Sequence, residues 1–349
     1  MNKVKNKKVA IALSGGVDSS VAALLLKNQG YEVVGITGKM VDDENFLIVC
    51  QNAKNVADKI GIKHYVLDLS EDFKKNIIDY FINAYKNGET PNPCIVCNKT
   101  IKWGKILDYA VNELECDYIA TGHYASIKEI DGQFLLYPAK DEKKDQLYYL
   151  YELNQIQLSK TIFPLSGMKK SQIREIAIQN DLPSKSSKES QDICFIKKPY
   201  TTKKFLLEHI KVKKGDFILN KTGEKIGTHE GFFQYTTGQR KGIGIAYSEP
   251  LYVIGTDSGK NQVLCGTKEE LLSDSLELDN FNLHDNNFTG GKALIKIRYN
   301  MSAVEGEIEF SNNGTDIKFF DEVSGITKGQ ACVIYDITDG HLIGGGWIK

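Results

Sequence analysis

The chain has 349 residues, which at roughly 150 residues per domain predicts two or three domains with sizeable cores and excludes a mini-protein stapled by disulfides. Its 44 lysines and arginines offset 45 aspartates and glutamates for a net charge of −1, and hydrophobic residues make up 41%. That composition excludes disordered and fibrous classes and, taken as a whole-chain average, argues against a nucleic-acid binder, whose domain is usually basic.

In chain order, KVAIAL (8–13) is an apolar run of strand length, followed by a glycine–serine turn and by VAALLLKNQG, good helix formers ending at Gly30 as a C′ residue would. YEVVGIT (31–37) predicts a second strand, residues 46–60 a helix closed by Gly61, and HYVLDL (64–69) a third strand. A helix follows over 71–86, then a fourth strand in CDYIATGHY (116–124) and a helix over 170–180 closed by Asp181-Leu182-Pro183. Such alternation gives a parallel sheet with helices on both faces. Residues 199–257 are rich in Lys, Gly and turn signals, with GDFILNKTGEKIG reading as a hairpin around Lys221-Thr222-Gly223. Residues 258–349 carry short alternating runs (QVLCG, KALIKIRYN, EGEIEF, DIKFF, ACVIYD, HLIGGGWIK) suited to a small β-barrel. The expected organisation is an α/β catalytic domain at 1–200, a small central domain at 201–257 and a C-terminal β-barrel at 258–349.

No apolar run approaches the ~18 residues needed to span a bilayer. The basic N-terminus runs from a short apolar stretch straight into a glycine turn, without a cleavage-like site. Seven cysteines spread thinly along the chain predict reduced thiols in a cytoplasmic enzyme with no membrane partner. Only three basic residues are arginine (Arg174, Arg240, Arg298), so each marks a place where a planar fork is wanted.

Ser14-Gly15-Gly16-Val17-Asp18-Ser19-Ser20 lies between the first strand and the first helix. Two glycines let the backbone approach a ligand, while helix N-terminal N–H groups and the Ser14, Ser19 and Ser20 hydroxyls can donate to phosphate oxygens. Neither a Gly-Lys-Ser/Thr nor a GxGxxG pattern is present, which excludes a Walker A loop and a dinucleotide fingerprint. The segment resembles the PP-loop (SGGxDS) of ATP pyrophosphatases, an adenine nucleotide alpha hydrolase-like fold whose members cleave ATP to AMP and pyrophosphate. Asp18 would repel phosphate; Mg²⁺ bridging Asp18 and the pyrophosphate is the expected resolution.

Asn92-Pro93-Cys94-Ile95-Val96-Cys97-Asn98-Lys99 carries a CxxC spacing. Thiols so spaced can form a redox pair, supply two metal ligands, provide one attacking thiolate, or be inert and buried. No second CxxC or His pair follows to complete a structural zinc site. A third cysteine stands in Ser190-Gln191-Asp192-Ile193-Cys194-Phe195-Ile196.

SGGVDSS, TPNPCIVCNKTIKWG, DYIATGHYA, KDQLYYLY, QDICFI, GQRKGIG, KIRYN and GQACVIYD occur in this order over nearly the whole chain, and in this the sequence resembles the tRNA-specific 2-thiouridylase family. The resemblance implies ATP-dependent sulfuration of C2 of the wobble uridine of tRNA, with Cys97 as the catalytic thiol and Cys194 bearing a persulfide. A persulfide hands over only its terminal sulfur when a second thiol resolves the S–S bond, which leaves a Cys97–Cys194 disulfide. It further implies ATP contacts from Ala12, Leu13, Ser14, Gly15, Gly16, Val17, Asp18, Ser19, Gly38 and Gly122. Contacts to tRNA are implied for Asn92, Pro93, Cys94, His123, Lys144, Asp145, Gln146, Arg240, Arg298, Tyr299 and Gln330, and a persulfide-relay protein is implied as sulfur donor. Two positions depart from the family: Cys94 stands where many relatives have aspartate, and Gly38 where they often have methionine. A [4Fe-4S] cluster held by Cys94, Cys97 and Cys194 is therefore open as well. So are a PP-loop enzyme that adenylates without thiols, such as a lysidine synthetase or amide-forming ligase, and a non-enzymatic tRNA-binding scaffold.

The charge is unevenly spread. Residues 185–241 hold 13 basic against 6 acidic residues, and residues 258–349 hold 8 against 14. A basic stripe offset by an acidic barrel removes the opening objection to nucleic acid.

Overall fold

The computed structural model describes residues 7–187, 193–197, 199–311 and 314–349. They fall into two compact units, one built from residues up to 77, 94–191 and 340–342, the other from 78–93, 192–339 and 343–349.

The first unit is built on a five-stranded, all-parallel sheet of β1 (Lys8–Ala12), β2 (Glu32–Lys39), β3 (Lys63–Asp68), β4 (Tyr118–Ala120) and, at its edge, a short strand at Thr161–Ile162, in the spatial order β3-β2-β1-β4-edge. β1 is central, and Val9, Ala10 and Ile11 are all fully buried, which is why it reads as a continuous apolar run. α1 (Val17–Asn28) follows it and ends at Gly30, φ +91°. α2 (Glu44–Ile60) begins where the Asp43 side chain accepts from the Phe46 N–H and stops at left-handed Gly61. Its Ala53, Val56, Ala57 and Ile60 form the buried stripe of an amphipathic helix.

Three local differences from the sequence expectation bear on function. The expected strand at 116–124 is β-structure only at Tyr118–Ala120; the chain then turns through Thr121-Gly122-His123-Tyr124. The helix over residues 93–112, α3, is α-helical at Pro93–Cys97 and Leu107–Asn112 but π-helical at Asn98–Ile106, and a second π-helical turn interrupts the run before residue 86 at Lys74–Ile78. A hairpin, β5 (Ser126–Ile130) and β6 (Gln133–Tyr137), turns at Asp131-Gly132 with both φ positive; this Asp-Gly pair is a type I′ signal that a reading for parallel strands passes over. α4 (Lys170–Gln179) closes the unit's core against α1 through Ile173 and Ala177.

The second unit contains a four-stranded sheet and a closed barrel. β7 (Gly215–Leu219) and β8 (Lys225–His229) form the expected hairpin, joined by β9 (Tyr252–Asp257) and β10 (Gln262–Gly266) in the order β9-β10-β7-β8. QVLCG, grouped with the barrel by its alternation, thus pairs in this sheet, because its register partners are Asp216–Leu219 on one side and β9 on the other. The six-stranded barrel begins at Leu272 and buries Leu278, Ile295, Ile308, Ile317, Phe319 and Ile334. A third cluster joins Phe81 and Ile82 to Phe205 and Leu206 of α5 (Thr202–His209), and Ile196 packs into it.

Candidate active site

The segment between β1 and α1 is held by its own hydroxyls. Gly15 sits at φ +72°, where a Cβ would lie 2.7 Å from the Asn52 Cβ, so no side chain fits. Gly16 is extended and caps α1 without a side chain, which leaves the N–H groups of the first turn facing outward for an anion. Ser19 Oγ donates to the Gly16 carbonyl at 3.1 Å and lies 3.2 Å from Ser14 Oγ. Ser20, expected to face phosphate, is fully buried and donates to the same carbonyl at 2.7 Å, so it braces the loop instead. Ala12 ends β1, and Leu13 and Val17 are buried, so the latter two can meet a ligand only through backbone. Gly38 lies at the end of β2, and the Met40 methyl fills the place of its missing Cβ, 2.8 Å away.

Asp18 projects from the first turn of α1. Its two oxygens accept from Lys170 Nζ at 2.6 and 2.7 Å, and Oδ1 also accepts from the Tyr124 hydroxyl at 2.7 Å. Neither partner was singled out in the sequence, since 152 and 106 positions separate them from Asp18. As built, this carboxylate does not fit a magnesium ion, because its oxygens are already engaged by donors. The cation that a lone Asp18 would require is supplied by the chain itself.

The turn after β4 links this loop to the thiols. A Cβ on Gly122 would lie 2.8 Å from the Ser19 N and 2.9 Å from the Asp18 carbonyl carbon; the missing side chain lets the turn pack on the phosphate loop. Next along, His123 lies between Trp103 and Phe163, ring centroids 5.5 and 6.3 Å away, with Nδ1 2.7 Å from Thr121 Oγ1 and Nε2 3.4 Å from Lys102 Nζ. Burial first, and the Lys102 cation second, hold its pKa well below the usual histidine value. A neutral ring beside an ammonium, which only donates, accepts at Nε2 and carries its proton on Nδ1. The Lys102 charge also acts on the cysteines. In π-helix, i→i+5 bonding aligns positions five apart, and Cys97 and Lys102 are so spaced. Desolvation by the surrounding protein pushes the half-buried Cys97 thiol up to about 11 and raises Cys94 too, although the Cys94 side chain is exposed, while Lys102 pulls both down. Asn98 and Lys99 fix the helix, donating to the Tyr149 carbonyl at 2.8 Å and to buried Glu152 at 2.6 Å.

Several residues expected to contact tRNA have structural partners. The Asp145 oxygens accept from the Ala139 and Leu147 N–H groups, and Gln146 bonds both backbone groups of Tyr124, through its own N–H and its side-chain oxygen. Lys144 is half-buried in the same turn, and Asn92 is half-buried beside buried Pro93. In the second unit, Arg298 donates to the Thr237 and Gly325 carbonyls and to the Thr327 hydroxyl; it anchors the loop that presents exposed Arg240. Tyr299 lies 5.3 Å from Lys296 Nζ, and Gln330 Nε2 donates to the Thr90 carbonyl at 2.6 Å. Cys194 is exposed, while its neighbour Phe195 packs edge-on against Phe81 and Phe205. Ser190, Gln191 and Asp192 of the same motif lie outside the described residues. The structure therefore brings together the phosphate loop, Gly122, His123, Cys94 and Cys97 in one unit and puts Cys194, Arg240, Arg298, Tyr299 and Gln330 in the other.

Family profiles described as "tRNA methyl transferase HUP domain", "tRNA methyl transferase PRC-barrel domain" and "Aminomethyltransferase beta-barrel domain" match residues 7–198, 203–267 and 273–348. The chain is 42% identical to the tRNA-specific 2-thiouridylase MnmA of Clostridium kluyveri, covering 98% of this chain and 99% of that one. It belongs to the tRNA-specific 2-thiouridylase family. The same identity extends over the full length of both chains with the second such protein of Clostridium tetani, and 41% over 99% of this chain and 94% of the relative with one of Fusobacterium nucleatum. As a 2-thiouridylase family member, the chain pairs a parallel-sheet unit bearing the phosphate loop with a closed barrel. Among the described residues, no helix is long and apolar enough to cross a membrane.

Proposed function

We propose that this chain is an ATP-dependent sulfurtransferase that replaces the C2 oxygen of the wobble uridine of tRNA with sulfur. The observation that carries the reading is the turn at 121–124. Gly122 and Tyr124 touch the phosphate loop, and His123 lies 3.4 Å from the lysine whose charge acts on Cys94 and Cys97. Activation and sulfur delivery need that proximity, because the C2 oxygen leaves only once it is esterified to AMP.

The loop N–H groups and the Ser14 and Ser19 hydroxyls hold the phosphates, the uridine oxygen attacks the α-phosphorus and pyrophosphate departs. The terminal sulfur of a Cys194 persulfide attacks C2, and AMP leaves with the oxygen. Cys97 attacks Cys194 Sγ as its thiolate, a minor fraction at neutral pH that the Lys102 charge enlarges, with its proton passing to solvent; the S–S bond breaks, its electrons form C2=S, and a Cys97–Cys194 disulfide remains for a dithiol to reduce. Exposure of Cys194 suits loading by a persulfide-carrying protein. The uridine must be unstacked to be reached, and the turns bearing Arg240 and Tyr299 offer a cation and a ring to unpaired nucleotides. Cys94 has no step in this scheme. Two thiols three positions apart on α3 fit two corners of a [4Fe-4S] cluster, but no step here depends on one.

Methyl transfer, the word in the profile descriptions, needs neither a phosphate loop nor thiols. Mass spectrometry of tRNA incubated anaerobically with ATP and a persulfide donor tests the proposal. Wild type should yield 2-thiouridine, and Cys97→Ser and Cys194→Ser none; product retained in both variants would favour an ATP pyrophosphatase of another kind.

A further inference from the structure

The pairing of Asp18 with Lys170 has no part in the chemistry above. Lys170 opens α4, its backbone N–H donates to Asp141 at 2.8 Å, and its side chain is only 11% exposed. The ammonium grips both Asp18 oxygens, and the Tyr124 ring lies 5.8 Å beneath it. Stability does not account for the arrangement. An aspartate in the first turn of a helix is already favoured by the helix dipole, and a largely buried ion pair is weak evidence of stabilisation. What the second charge alters is the field at the mouth of the loop, where an uncompensated carboxylate would oppose the phosphates that the helix terminus attracts.

We propose that Lys170 is a positioning residue that neutralises and orients Asp18, so that the loop takes up a polyphosphate without a metal ion at that carboxylate. The inference deepens the proposed function and rests on its reading of the loop as the nucleotide's phosphate site.

Calorimetric titration of the whole chain with inorganic pyrophosphate, in EDTA and then in Mg²⁺, tests it. In EDTA, Asp18→Asn should tighten binding at least threefold, because one negative charge at the mouth of the loop is then removed, a gain that loss of a merely structural contact would not give. Lys170→Met should weaken binding at least tenfold, and the double variant should return within threefold of wild type. Lys170→Arg should stay near wild type. Should Lys170→Met fail to fold, Asp18→Asn carries the test alone. Weaker or unchanged binding by Asp18→Asn, or wild-type binding that appears only with Mg²⁺, would overturn the role given to Lys170. A wild type that binds neither pyrophosphate nor ATP under either condition would overturn the nucleotide site itself.

Discussion

At Cys97 two influences compete: burial pushes the thiol up to about 11, and the Lys102 ammonium pulls it down. Only the thiolate reacts with an alkylating agent, and a thiol with a raised pKa is protonated at neutral pH. Its alkylation, followed by peptide-resolved mass spectrometry, should therefore keep rising about tenfold per pH unit through pH 9–10, where an ordinary thiol of pKa ~8.5 levels off. Lys102→Met should slow alkylation at pH 8 further and leave the plateau out of reach; a plateau near pH 9 in wild type would contradict the assigned burial. His123 runs the other way, since its depressed pKa keeps it neutral throughout the usual histidine range, so no step should titrate with it between pH 6 and 8. Gly15 was legible in the sequence because its motif is contiguous, and Cys97, Cys194 and Gly122 were marked out only by motifs that carry the family resemblance. Lys102, Lys170 and Tyr124 were not, because a π-turn and the tertiary fold place them, and a lysine or tyrosine in the sequence carries no mark of its distant partner.

The elements position the site by departing from regular geometry. β4 stops at Ala120 so that the next residues can pack on the phosphate loop. Gly122→Ala inserts a methyl 2.8 Å from the Ser19 N, which must push the first turn of α1 aside. Steady-state assays should show KM for ATP raised at least tenfold with KM for tRNA little changed; an unaltered KM for ATP would mean that the turn does not set the loop. In α3 the α-helical period changes to π between Cys97 and Ile106. No hydrophobic pattern announces this, since the run keeps its buried Ile101, Trp103 and Ile106. The first three parallel strands and α2 were readable to within a residue or two because apolar runs and Gly61 mark them, whereas QVLCG alternates equally well in either sheet and only its partners decide.

For the whole molecule, the net charge of −1 conceals 13 basic against 6 acidic residues within 185–241. Binding of tRNA should fall steeply with salt, and replacing Lys211, Lys213 and Lys214 by glutamine should weaken it and flatten the log Kd against log salt slope; a slope unchanged by the triple variant would place the contact elsewhere. Arg298→Ala should weaken tRNA binding through the loop it anchors, because the Thr237 and Gly325 carbonyls lose this donor. The central claim is that ATP cleavage and thiol chemistry are coupled in one chain. Counting AMP, pyrophosphate and 2-thiouridine in one anaerobic reaction tests it most directly. The account predicts one AMP and one pyrophosphate for each thiolated uridine, with Cys97→Ser forming no 2-thiouridine; 2-thiouridine formed without ATP, or at full yield by Cys97→Ser, would contradict it.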